Sequence, residues 1–124
     1  MPVIRQSDTR RTETPNAVMT TLASPTQGGS SLALWRVDMA AGNSGPVHYC
    51  DAEQIWTILT GQATFDLDGT PLDATEGDTV VLPAETPRRI SAGSQGYTAL
   101  VTAPGGAAVR TPDGGDPIVP AWMA

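Results

Sequence analysis

The chain has 124 residues, enough for one hydrophobic core but not two. Its thirteen glycines and eleven prolines argue for strands and turns over a helical bundle. Thirteen acidic residues face seven arginines and no lysine, a net charge of −6 that suits neither nucleic acid nor an anionic membrane surface.

Cys50 is the one cysteine, which excludes an internal disulfide and fits a reducing compartment. The opening residues MPVIRQSDTRRTET hold no apolar stretch of the secretory kind, and no apolar run in the chain has bilayer-crossing length. A cytoplasmic location is the expectation.

In chain order, residues 1–16 are polar and charged, with Pro15 discouraging helix before it, and are expected to form a flexible or draped arm. Val18 to Ala23 is a short strand candidate, completing an N-terminal arm over 1–31. The run LALWRVDM then alternates, with Ala33, Trp35, Val37 and Met39 on one face. A loop from Gly42 to Pro46 leads into a strand at His48, and Gln54 to Leu59 is rich in strand formers. Gly61 is expected to turn the chain into a segment where Ala63, Phe65 and Leu67 alternate with Gln62, Thr64 and Asp66. Asp68-Gly69 predicts a type I′ hairpin. A further strand follows in TVVL, then a loop between Pro83 and Pro87, a strand from Arg88, a turn at Gly93–Gly96, and a last long strand in YTALVTA. The tail, 104–124, reads as loop, with Trp122 and Met123 expected to dock on the body. Short strands and turn signals at this spacing predict an all-β sandwich or barrel.

The stretch Gly42 to Gly61 carries a recognisable spacing. Five residues separate Gly42 from His48, one separates His48 from Cys50, three precede Gln54, and six precede Gly61. This resembles the first motif of the cupin superfamily, Gly-x5-His-x-His-x3-Glu-x6-Gly, with Cys50 in place of the second His and Gln54 in place of the Glu. The second cupin motif, Gly-x5-Pro-x-Gly-x2-His, is matched at Gly77 and Pro83, but Glu85 replaces its Gly and Arg88 its His. The resemblance covers roughly residues 32–103 and implies a double-stranded β-helix of jelly-roll type. It also implies that His48, Cys50, Gln54 and Arg88 converge where other family members hold a metal.

Those four residues admit plain and functional readings. His48 can serve as acid or base or as a ligand, or it can be a hydrogen-bonded remnant. Cys50 is most simply a small buried hydrophobe, with a ligand or nucleophile role as the alternative. Gln54 keeps the shape of a carboxylate without its charge, and can still bond a substrate. Glu53 is one residue out of register and faces away. An inward Arg88 repels a divalent ion: two unit charges at about 4 Å interact by about 4 kcal/mol at an effective dielectric near 20, and a divalent ion doubles that. The same guanidinium suits a carboxylate, enolate or phosphate, unless the strand slips and Arg89 faces inward. Trp35 and Trp56 are candidates for an aromatic pocket or for ordinary core packing. The acidic run Asp66, Asp68, Asp73, Glu76 and Asp78 reads as a solvated hairpin edge.

Three functions fit. The first is a metal-independent cyclase- or isomerase-type enzyme on an anionic or carbonyl-containing metabolite. In it His48 is the acid/base, Arg88 the anion or carbonyl clamp, and Gln54, Cys50, Trp35 and Trp56 line the substrate site, with no cofactor. The second is a dioxygenase-like cupin holding a divalent transition metal on His48, Cys50 and Gln54. The third is a non-catalytic small-molecule-binding cupin. The partners expected are a small-molecule ligand and a second copy of the chain, since small cupins often pair, with Val18–Ala23 as the strand to be exchanged.

Overall fold

The computed structural model describes residues 3–124. After a 3-10 turn at Gln6–Asp8, the strands are β1 (Arg10–Glu13), β2 (Val18–Ala23), β3 (Leu32–Met39), β4 (Tyr49–Cys50), β5 (Gln54–Leu67), β6 (Thr70–Thr75), β7 (Thr79–Leu82), β8 (Arg88–Pro104) and β9 (Val109–Arg110). Seven belong to one antiparallel sheet in the order β1-β2-β3-β8-β5-β6, with β7 also on β5, while β4 and β9 pair separately. The fold is all-β, as its composition and alternation predict. Part of the N-terminal stretch expected to drape loosely is instead a strand: Arg10–Glu13 pairs with β2, and β2 pairs with β3 of the same chain.

The alternation expected for 62–67 is present. Ala63 and Phe65 are fully buried, while Gln62 is exposed and Thr64 and Asp66 are half-buried. The hairpin at Asp68-Gly69 is present too, both residues having positive φ.

Gly61 and the Gly93–Gly96 segment depart from expectation. Neither ends a strand. β5 runs fourteen residues and β8 seventeen, pairing with each other from Ile55↔Thr102 to Leu67↔Arg88. Register shifts fall between Ile58 and Thr60 and between Gly61 and Ala63, so the ladder bulges where a turn is expected. The bend is severe. Trp56 and Phe65 stand nine positions apart, about 30 Å in a straight strand, yet their rings meet edge to face with centroids 5.5 Å apart. Two glycines permit it. Gly61 (φ +77°) pairs with Tyr97, and a Cβ on it would lie 2.1 Å from the Gly96 carbonyl oxygen. A Cβ on Gly96 (φ +71°) would lie 2.5 Å from the Met39 carbonyl oxygen.

The inward faces of β3, β5 and β8 supply most of the core, including Trp35, Val37, Trp56, Ile58, Phe65, Ala99 and Val101. The tail joins them: Met123 is buried, the Thr21 hydroxyl donates to the Trp122 carbonyl at 2.8 Å, and Arg10 donates to the Ala121 carbonyl at 2.9 Å.

The glycine crossing gives a direct test. Gly61→Ala should cost about 3 kcal/mol or more by urea denaturation, because backbone must move to admit the methyl. Gly69→Ala, at a similar φ of +86° but with open space around it, should cost only about 1–2 kcal/mol. Equal losses would mean that φ alone, and not the close backbone approach, sets the requirement at Gly61.

Candidate functional site

A cavity of about 410 Å³ opens between the inner face of the sheet and the chain ends. Its wall is mainly apolar, with Trp35, Trp56, Tyr97 and Trp122 as its aromatic members and His48 and Gln54 among its few polar ones. The alternation of β3 delivers Trp35, that of β5 delivers Gln54 and Trp56, and that of β8 delivers Tyr97. The Thr14–Ala17 turn and the tail residues Ile118 to Met123 contribute the rest of the enclosure.

His48 reaches the wall because the chain before β4 runs antiparallel to the start of β8. His48 N–H donates to the Arg88 carbonyl at 2.9 Å and Arg88 N–H to the His48 carbonyl at 3.0 Å. The two are therefore a hydrogen-bonded cross-strand pair with side chains on one face. Burial holds the His48 imidazole below its usual value; the Pro46 carbonyl works against this, and the Arg88 charge adds to it. The ring Nδ1 lies 3.0 Å from the Pro46 carbonyl oxygen. A neutral imidazole donates Nδ1–H there, which leaves the Nε2 lone pair as the free, basic position.

Gln54 is buried and held at both ends of its amide. Its Oε1 accepts from Trp56 Nε1 at 3.0 Å, and its Nε2 faces Cys50 Sγ at 3.7 Å. One amide hydrogen and one carbonyl lone pair remain for a ligand. Cys50 is fully enclosed and lies off the cavity wall, behind Gln54.

Arg88 is placed differently from a clamp. It is fully buried and does not line the cavity. Its Nε donates to the Thr86 carbonyl at 2.9 Å and its Nη2 to the Pro83 carbonyl at 2.6 Å, while Nη1 is buried without a partner. The loop between Pro83 and Pro87 offers carbonyls at the right reach, so the guanidinium turns to them instead of to a ligand. Burial draws Arg88 below the ordinary arginine value, opposed by Cys50 and Glu85. Its charge acts on the site through His48. Arg89, the slipped alternative, is exposed and donates to the Gly45 carbonyl at 3.1 Å.

The residues do not suit a divalent metal. Among the described residues no three His, Cys, Asp or Glu side chains come together. His48 is the single imidazole, the Gln54 carbonyl oxygen already takes the Trp56 proton, and a buried guanidinium sits beside them.

Tyr97 was not singled out from the sequence. It is nearly fully buried, stacks obliquely on Trp56 at 6.3 Å between centroids, and has a hydroxyl without a partner. Burial raises its pKa well above the usual phenol range, so it stays a neutral donor. The alternation of YTALVTA placed it on the face of Ala99 and Val101 and could have marked it. Arg110, also on the wall, was missed because its environment is built by the fold: it stacks on Tyr49 at 4.3 Å and pairs with Glu85 at 2.9 Å.

No curated protein sequence matches the chain. Among solved structures, the polyketide cyclase RemF from Streptomyces resistomycificus superposes with a TM-score of 0.76 at 20% identity, over 99% of this chain and 89% of its own. A RmlC-like cupin from Shewanella frigidimarina gives 0.70 at 17% identity, over 82% of this chain and 87% of its own. The DMSP lyase DddQ from Ruegeria pomeroyi gives 0.73 at 25% identity, over 89% of this chain but only 64% of its own. At 20% and 17% identity the first two likenesses speak for the fold alone. The family model for the cupin domain matches residues 35–104, more than half of the chain and most of the bent sheet that carries His48 and Gln54, and the chain belongs to the cupin family.

Proposed function

We propose that this cupin is a small-molecule enzyme of the cyclase or isomerase type, acting without a divalent metal on a carbonyl-containing, largely apolar metabolite. The observation that carries the reading is the aromatic-lined cavity with a half-buried imidazole on its wall, held below its usual pKa by desolvation. A carbonyl compound is favoured over a strongly anionic one, because Arg88 bonds the loop and Arg110 is already paired with Glu85. The structural likeness to a polyketide cyclase points the same way.

In this reading the aromatic wall holds a flat substrate by apolar burial. His48 Nε2 removes a proton from a carbon next to the carbonyl, and the C–H electron pair passes through the new C=C to the carbonyl oxygen. The free Gln54 amide hydrogen bonds that oxygen as its charge develops. Return of the proton from His48 at a second position completes an isomerisation; alternatively the enolate carbon attacks a second carbonyl of the same molecule, whose π pair moves to its oxygen, and the proton on His48 passes to that alkoxide as the ring closes. Desolvation, with the Arg88 charge adding to it, keeps the resting imidazole neutral by opposing its protonation. The protein works on small molecules, in the cytoplasm and as a pair of chains.

A ketone with exchangeable α-hydrogens, 2-tetralone, tests the chemistry without knowledge of the natural substrate. In D₂O the wild type should speed hydrogen–deuterium exchange at the α-carbons as followed by proton NMR. His48→Ala should lower that rate by about 10²–10⁴-fold, while quenching of tryptophan fluorescence by the ketone is retained. Binding without accelerated exchange would favour the non-catalytic cupin.

Elemental analysis of protein purified without chelators should find no stoichiometric divalent metal. About one metal per chain, lost in His48→Ala, would overturn the metal-free reading.

His48 also predicts a pH dependence of stability. Below about pH 6.5 the unfolded chain takes up a proton that folded His48 refuses, because burial lowers its pKa in the fold. Its contribution is full above that pH and is lost as pH falls toward the depressed value. Thermal midpoints should decline across that window in the wild type and decline less in His48→Asn.

A further inference from the structure

Glu85, in the loop between Pro83 and Pro87, holds a backbone conformation that suits glycine. Its φ is +62°, and the one other non-glycine residue with positive φ among those described is Asp68. Asp enters the left-handed region several-fold more readily than most residues; Glu has no such ease there. The strain comes from the Cβ, so glycine would be free of it. The backbone at this position does nothing that glycine could not: the Glu85 N–H donates to the Cys50 carbonyl at 2.8 Å and pins the loop to β4. What glycine lacks is the carboxylate, and the carboxylate has a defined partner.

Glu85 Oε2 accepts from Arg110 Nη2 at 2.9 Å. Arg110 is the cross-strand neighbour of Tyr49, and its guanidinium lies 4.3 Å from the centroid of that ring. Among the described residues it is the one Arg or Lys on the cavity wall. A bare guanidinium there would be a carboxylate clamp, able to offer two parallel N–H bonds. Paired with Glu85 its charge is cancelled, and Asp116 is left as the unbalanced charge on the wall. The pair is partly solvated, 36% and 53% exposed, so it contributes little to stability. It lies at the solvent side of the wall, where the charged end of a ligand would meet it.

We propose that Glu85 is a specificity-determining residue: by occupying Arg110 it excludes carboxylates from the cavity and keeps the site for neutral carbonyl compounds. This role rests on the proposed use of the cavity, and it makes one exchangeable side chain responsible for the class of ligand. An arriving carboxylate must displace Glu85 to reach Arg110, which trades one carboxylate for another without gain, and it meets Asp116 as well. A neutral carbonyl compound gives up nothing. Removal of the Glu85 charge therefore turns the same cavity toward acids. The Glu85 charge also acts on the buried Arg88, and the test separates that role from the selective one.

Two probes of one shape, 2-acetylnaphthalene and 2-naphthoate, differ in carrying a neutral ketone or a carboxylate. An apolar cavity of about 150 Å³ admits one benzene, so a space of about 410 Å³ has room for either. Titration calorimetry at low ionic strength should find that the wild type prefers the ketone. Glu85→Gln should move the ratio of the two dissociation constants toward naphthoate by about ten-fold or more, the scale of a hydrogen bond to a charged group. Added salt should shrink that shift. Glu85→Gln combined with Arg110→Gln should return the ratio to its wild-type value, which a merely structural effect at position 85 would not do. Glu85→Gly should shift the ratio as Glu85→Gln does and unfold at higher urea than it, because glycine alone removes the strain. A wild type that binds naphthoate as tightly as the ketone would overturn the proposal. So would a ratio unmoved in both Glu85 variants; if both are also less stable than the wild type, Glu85 serves to balance Arg88 instead. Selectivity as expected, with no accelerated exchange of 2-tetralone, would remove the proposed chemistry and leave the role of Glu85 standing. Binding of neither probe to any of these proteins would overturn both.

Discussion

Everything in this fold depends on one backbone crossing. At Gly61 the two longest strands approach so closely that a methyl group would strike the Gly96 carbonyl oxygen, and a methyl on Gly96 would strike that of Met39 at the end of β3. Bulges beside that crossing let β5 and β8 change direction without losing their pairing. One strand thus serves two parts of the barrel: its first half presents Gln54 and Trp56 to the cavity, and its second half brings Phe65 back against Trp56. Without the bend, those rings would lie at opposite ends of an extended sheet and no cavity would form between them.

The sequence was most legible where a physical requirement is periodic or strictly spaced. Alternation identified the inward faces of β3 and of the Ala63–Phe65 segment because a strand has only two sides. The resemblance carried by the Gly42–Gly61 spacing implied that His48 and Gln54 converge, and both line the cavity. The glycines were harder. A positive φ serves a tight turn and a bulge equally well, so Gly61 and Gly96 read as turns while the chain in fact continues through them. Long side chains were least legible. Register puts Arg88 on the same face as His48, but its guanidinium has several bonds of freedom and goes to the Pro83 and Thr86 carbonyls. Nothing local to Arg88 announces where those carbonyls will be.

The Arg88 placement changes what the site can do. A guanidinium on the cavity wall would select anions and oppose metal; one sealed behind the wall can do neither by contact. It still acts electrostatically, and its effect has a definite sign: a fixed positive charge beside a buried imidazole resists the second positive charge. Both burial and Arg88 keep His48 neutral, and the Pro46 carbonyl that opposes them fixes which nitrogen carries the proton. In the proposed chemistry that arrangement leaves His48 Nε2 as an oriented base.

The cavity and the outer sheet face place opposite demands on the same strands. Inward positions of β3, β5 and β8 are filled by large aromatics that do not close the space completely, whereas outward positions carry medium aliphatics and threonines in a flat row. On the other side of the enclosure the Thr14–Ala17 turn joins the paired β1 and β2, packs Ala17 against the core, and accepts a 3.4 Å bond from the Asn43 amide at the Asn16 carbonyl. Tyr97 lines a pocket together with that turn, and its hydroxyl has no partner among the described residues. A buried hydroxyl left unpaired costs about 1–3 kcal/mol, and a ligand oxygen bonded to it would recover part of that cost.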